Sequence, residues 1–249
     1  MEENQSAEVV EQQPKKEKKK KQKKYDICIK ANKKGRHINV LMNILRVIVI
    51  PVVWIMLPFK FYGKRKAPDG AAIYIANHYR VYDPVYPACT TWEGIHYLAK
   101  KSILHHPIYG MFCRGLRIIG VNRDGADVRA MMDSLKCLKN GEKIAIFPEG
   151  TRNKTEQEML EFKGGAAMMA IKAKAPIIPI VIYKKPRFFR MTHIIAGEPF
   201  ELSEYYGVKM TEETIAEADG KLYQKILDIK AEHKRFLEEK KAKKNKKKA

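Results

Sequence analysis

His78 and Asp83 stand five residues apart in Asn77-His78-Tyr79-Arg80-Val81-Tyr82-Asp83, a spacing that lets one loop bring a carboxylate onto an imidazole. Histidine exchanges protons near neutral pH and can act as a general base. A carboxylate behind it fixes the tautomer that leaves the outer ring nitrogen open. Downstream, Phe147-Pro148-Glu149-Gly150-Thr151-Arg152 closes an apolar run. Arg152 offers fixed, paired donors of the kind that grip phosphate. Glu149 could contact a hydroxyl or brace the guanidinium, and Gly150 either lets the backbone approach a substrate or turns the chain after Pro148. A base with its orienter, followed by an anion anchor, points to an enzyme with an anionic, hydroxyl-bearing substrate.

A lone His-x4-Asp arises often by chance among seven histidines. The hexapeptide downstream of it does not. Together the two stretches resemble the first and third motifs of the glycerolipid acyltransferase family, whose members acylate glycerol phosphate and lysophosphatidate. The resemblance runs over residues 71–183. Ala99-Lys100-Lys101-Ser102-Ile103-Leu104 resembles the family's lysine-bearing segment, and Gly120-Val121-Asn122-Arg123 its second motif in shortened form. Ile177-Ile178-Pro179-Ile180-Val181-Ile182 is similar to the fourth. The resemblance implies acyl transfer from acyl-CoA or acyl carrier protein to the free hydroxyl of lysophosphatidate, giving phosphatidate. Glycerol 3-phosphate or another lysophospholipid is the alternative acceptor. His78 and Asp83 are implied to be catalytic, with no covalent intermediate and no cofactor beyond the acyl donor. Glu149, Gly150, Thr151, Arg152, Lys100 and Arg123 are implied to bind substrate, with Lys101 as a substitute for Lys100.

The elements that must position these residues follow from periodicity and turn chemistry. Short apolar runs predict strands over 71–76, 94–98, 117–121, 143–147 and 177–183. Helical spacing predicts helices over 127–138, 164–173 and 211–239, with Gly220 a candidate interruption of the last. Asp83-Pro84 has the form of an N-cap and first helical residue, predicting a helix from 84 to about 92. His105 and His106 are adjacent, point apart and read as turn residues before Pro107, and no metal-ligand spacing is present. Strands alternating with helices predict an α/β fold, a mainly parallel or mixed sheet covered by helices, with functional residues beyond the strand ends.

The net charge of +21 is concentrated toward the termini. Residues 14–36 carry twelve Lys or Arg against two acids, and residues 230–249 ten against three. Runs such as 18–21 and 243–248 are too like-charged to pack and predict disordered or frayed tails. Anionic lipid would attract them. Nucleic acid would too, and a basic nucleic-acid-binding protein is the alternative class, although it explains neither the hexapeptide nor the apolar stretch 39–61. The uninterrupted apolar part of that stretch, 47–59, is too short to span a bilayer. Cations flank both of its ends, which would hold both on one side of a membrane. The expectation is a Pro-bent helical pair dipping into one leaflet, with a single span as the alternative, at the cytoplasmic face of the cell membrane and with no nucleic acid as partner. Four cysteines at 28, 89, 113 and 137, without CxxC, suit a reduced compartment. The organisation predicted is a charged tail (1–36), an apolar membrane-associating segment (37–66), a catalytic domain (67–210) and a closing helix with a basic tail (211–249).

Overall fold

The computed structural model describes residues 27–32, 36–65, 67–122, 125 and 127–246. Its centre is built from short, mostly apolar runs. Ala72–Ala76 (β2), Lys143–Ile146 (β5) and Ile177–Ile182 (β6) are buried at every position. Such strands need cover on both faces of the sheet. Ile95–Lys100 (β3) and Ile119–Val121 (β4) extend the sheet on one side. Thr192–Ala196 (β7) and Phe59–Gly63 (β1) extend it on the other, in the order β1-β7-β6-β2-β5-β3-β4. The pairs among β6, β2, β5, β3 and β4 are parallel, β7 returns antiparallel to β6, and β1 lies parallel to β7. The fold is thus α/β with a mixed sheet. Five strands deliver their C-terminal ends to one edge, and β7 and β1 begin at that same edge.

Strand alternation sorts the side chains into two layers. Ile73, Ile75, Ile144, Ile146 and Val181 face Val128–Lys139 (α5), Gly165–Ala173 (α6) and Glu212–Lys246 (α7), which contribute Leu138, Met169, Leu222 and Ile226 to that core. Ala72, Tyr74, Ala76, Ile180 and Ile182 face the other way, toward Met42 of Val40–Met56 (α1) and Tyr86 of Val85–Ala88 (α2). Two further helices, Lys101–Leu104 (α3) and Pro107–Gly115 (α4), fill the connection between β3 and β4. His106 is the N-cap of α4, with Pro107 at its first position, so the predicted turn is a helix start.

The apolar stretch corrects the expectation of a helical pair. It forms a single 17-residue helix that runs through Pro51. Asn39 caps its start by accepting the Met42 amide, and Leu57 N–H makes its last bond to Val53. Pro58 follows, and residues 59–63 leave the helix as an edge strand because Phe59 and Phe61 pack into the second layer and the backbone pairs with β7. The first strand of the sheet thus lies inside the segment assigned to the membrane. Seventeen residues span about 25 Å against about 30 Å of hydrocarbon, and no helix among the described residues is long and apolar enough to cross a membrane. Arg46 points inward, donating to Asn43 and to the Glu93 carbonyl, while Val47, Ile48, Val52 and Ile55 are exposed.

The predicted tails also need correction at both ends. Ile27 and Ile29 are buried, so the described part of residues 1–36 packs on the body rather than trailing from it. The run 18–21 lies outside the described residues. At the other end α7 continues through Gly220 and on to Lys246. Buried Ala218, Leu222, Ile226 and Ile229 carry it across the glycine, and the lysines of its last turn complement the helix dipole.

The segment 27–32 is fastened by Glu142, buried just before β5, which accepts from Ile29 N–H at 2.7 Å, His96 Nε2 at 2.6 Å and Asn140 Nδ2 at 2.7 Å. Burial alone would raise this carboxyl, but the hydrogen bonds outweigh burial and hold it below its usual value. A depressed folded-state pKa adds stability above the unfolded-chain value and loses it as pH falls through the folded one. Thermal midpoints of the native chain should therefore fall more steeply than those of Glu142→Gln between about pH 5 and pH 3. At neutral pH the variant should be less stable by about 1.5–3 kcal/mol.

Candidate active site

β2 ends at Ala76 and the chain turns at once. Asn77 extends the sheet with its side chain, Nδ2 donating to the Ile182 carbonyl at 3.0 Å and Oδ1 accepting the Ile182 amide at 2.8 Å. That double contact locks the turn to the end of β6. His78 follows, and its Nδ1 lies 2.8 Å from Asp83 Oδ2. The carboxylate is fully buried and the imidazole 17% exposed. The imidazole stacks on Phe147 at 4.2 Å between ring centres. Its Nε2 has no partner among the described residues and is the open atom of the pair.

Asp83 does not cap a helix, contrary to expectation. The same oxygen that meets His78 also accepts the amides of Tyr79 and Arg80, each at 2.6 Å. The carboxylate is turned back on its own loop. α2 begins two residues later without a side-chain cap and ends at Ala88, well short of the predicted residue 92. Three converging donors compensate the burial of a charge that would otherwise be costly.

The hexapeptide approaches from β5, the neighbour of β2. Glu149 is buried, and its carboxylate is turned to two backbone amides rather than to Arg152. Its Oε1 accepts the His78 amide at 2.6 Å and its Oε2 the Leu160 amide at 2.9 Å. Burial pushes this carboxyl above its usual value, against the pull of those two bonds. Gly150 turns the chain at φ +66°. The Asn153 amide donates to the His78 carbonyl at 2.7 Å, so the residue after Arg152 is tied to the histidine. Arg152 and Thr151 are exposed beside it, and Arg152 pairs with no described residue. Lys100, also exposed, ends β3, which lies across β5 from β2 in the sheet. Arg123 lies outside the described residues.

Three supporting residues escaped sequence reasoning. Phe147 opens the hexapeptide, and its stacking depends on the turn that brings His78 over it. Tyr79 donates from its hydroxyl to the Glu158 carbonyl at 2.8 Å, and Lys230 of α7 reaches both groups, at 3.4 and 3.2 Å, while pairing with the Glu158 carboxylate at 3.1 Å. Burial lowers the Lys230 ammonium below its usual value. No local signal could find a lysine some 150 residues from the tyrosine it supports.

One group among the described residues could offer metal ligands, namely Cys28, Cys137 and Glu142, with donor atoms within 4.8 Å of one another. The fold assembles it where sequence spacing gave no hint. It lies at the opposite edge of the sheet from His78, both Glu142 oxygens are already engaged, and burial drives the Cys137 thiol well above its ordinary value. The arrangement is that of a packed thiol pair, 3.8 Å between sulfurs, beside a buried ionic network.

The acyltransferase family model matches residues 58–183, from the first strand to the end of β6. This chain belongs to the acyltransferase family. Two relatives named 1-acyl-sn-glycerol-3-phosphate acyltransferase support the assignment. The one from Salmonella typhimurium is 31% identical over 175 residues, covering 66% of this chain and 70% of the relative. That from Bacillus subtilis is 28% identical over 144 residues, 54% of this chain and 68% of its own. In fold the acyltransferase is similar to the crystal structure of the 1-acyl-sn-glycerophosphate (LPA) acyltransferase PlsC from Thermotoga maritima, with a TM-score of 0.57 and 23% identity over 77% of this chain and 80% of that one. The matched span takes in β1, so the strand after α1 belongs to the region that the family model covers.

Because Gly150 holds a left-handed backbone, a side chain there strains the turn that carries Arg152. Gly150→Ala should cost about 1–2 kcal/mol in urea unfolding. Its Cβ would also press on the Lys163 side chain, 2.9 Å away, which is flexible and can move.

Proposed function

We propose that this acyltransferase transfers an acyl chain from a thioester donor, acyl-CoA or acyl carrier protein, to the free hydroxyl of 1-acyl-glycerol 3-phosphate, giving phosphatidate at the cytoplasmic face of a membrane. The observation that carries the reading is the His78–Asp83 contact at 2.8 Å, with Nε2 left open at the sheet edge. The names of the relatives support the acceptor.

In the proposed reaction the acceptor hydroxyl gives its proton to His78 Nε2 as its oxygen bonds to the thioester carbonyl carbon. The C–S bond then breaks, and the departing sulfur takes the proton back from Nε2. The donor is already activated, so the step needs a base and no covalent enzyme intermediate. Asp83 acts through His78, fixing its tautomer and favouring the imidazolium that forms. Arg152 takes the acceptor phosphate, with Lys100 contributing charge from β3. The contact of Glu149 with the His78 amide supports a positioning role for it. The exposed face of α1 seats the enzyme on lipid, drawn there by the basic termini.

His78→Ala should lower turnover by about two to four orders of magnitude with vesicle binding unchanged. Activity close to native would sink the mechanism. Arg152→Ala should weaken acceptor binding by about ten- to 150-fold, the worth of one charge-assisted contact, and leave the donor KM unaltered. A purified-protein assay with lysophosphatidate, glycerol 3-phosphate and uncharged lysolipids against both donor types tests the acceptor. Preference for an acceptor without phosphate would remove Arg152 from its role.

A further inference from the structure

The connection from β6 to β7 leaves the sheet at the edge that carries His78. It reads Tyr183-Lys184-Lys185-Pro186-Arg187-Phe188-Phe189-Arg190-Met191, four cations and no acid. Lys184, Lys185, Arg187 and Arg190 are all exposed, and none pairs with a carboxylate among the described residues. They wall a cleft of about 440 Å³ together with His193. Burial lowers His193 from its usual value, and Lys60, Lys240 and Lys184 push the same way, which marks the cleft as electropositive.

The apolar residues between these cations face solvent. Phe188 is 58% exposed, Phe189 76% and Met191 55%. Phe189 holds a backbone φ of +56°, a conformation that a bulky side chain avoids. Backbone held in such a region is a pointer to function. The loop is fastened to the end of α1, since the Phe189 amide donates to the Met56 carbonyl at 2.9 Å and the Thr192 amide to the Pro58 carbonyl at 2.8 Å. Trp54, Ile55 and Met56 are exposed there, so the aromatic tip adjoins the exposed face of α1 as one apolar surface.

Apolar rings set among cations that have no carboxylate partner match one partner, a bilayer that presents anionic headgroups above acyl chains. We infer that residues 184–191 form a membrane-insertion loop. Phe188, Phe189 and Met191 enter the acyl region of an anionic bilayer, and Lys184, Lys185, Arg187 and Arg190 hold its headgroup phosphates. The loop fixes which edge of the sheet meets the lipid, and it is the edge that bears Nε2 of His78. The inference extends the membrane part of the proposed function from α1 to a second, charge-selective element.

The test uses the full chain and vesicles of phosphatidylcholine with or without phosphatidylglycerol. A Phe188→Trp reporter is placed in a Trp54→Phe, Trp92→Phe background, and Trp54 itself is read in a Trp92→Phe chain. On phosphatidylglycerol vesicles the Phe188→Trp emission should shift to the blue and be quenched by brominated lipid. Replacing Lys184, Lys185, Arg187 and Arg190 together by Gln should weaken partition into those vesicles by nearly three orders of magnitude, at about fivefold per cation. Binding to phosphatidylcholine alone should change little. A quenched Trp54 with an unquenched Phe188→Trp reporter would overturn the loop and leave α1 as the membrane element. If neither is quenched, the membrane part of the proposed function falls as well. Undiminished binding of the Gln variant, with its native melting temperature, would overturn the headgroup contacts.

Discussion

A single buried oxygen organises the loop that carries His78, the candidate base. Asp83 Oδ2 collects the His78 ring and the amides of Tyr79 and Arg80, so the charge that orients the imidazole also closes the loop that carries it. A buried carboxylate is tolerated only when donors converge on it, and here the donors come from the residues that the loop must hold in place. The histidine therefore cannot drift without exposing a charge to an apolar interior.

A second buried carboxylate completes the arrangement from the neighbouring strand. Glu149 reaches across from β5 to the His78 amide and down to Leu160, while the Asn153 amide takes the His78 carbonyl. Both backbone polar groups of the histidine are thus satisfied by the segment that carries Arg152. The candidate base and the candidate phosphate anchor are coupled through hydrogen bonds to the main chain of His78. Lys230 adds a brace from α7 by supporting Tyr79 and Glu158, so the closing helix contributes to the loop as well as to the core.

The topology gives this edge of the sheet a further property. Five strands end there, and the antiparallel return of β7 makes the β6–β7 loop arise beside His78. The parallel pairing of β1 with β7 brings the end of α1 to the same place. An apolar helix and a basic aromatic loop, far apart in sequence, therefore share one side of the molecule.

Sequence alone determined what local chemistry could encode. The His-x4-Asp pair, the Phe-Pro-Glu-Gly-Thr-Arg turn and the strands and helices of strong periodicity, β2, β5, β6, α5 and α6 among them, were legible because each depends on residues within one turn or one strand. The extent of α2, the course of the chain through Pro51 and the strands β1 and β7 were not. A capping aspartate and an orienting aspartate look alike until the fold supplies the donors, and an apolar run joins a sheet or a helix according to the partner it meets. Only the tertiary structure decided that Glu149 serves the backbone of His78, that Lys230 supports Tyr79 and that Phe188 and Phe189 stand beside α1. Each of these is a contact between segments separated by tens of residues or more, and burial and hydrogen bonding at that distance are fixed by topology rather than by sequence spacing.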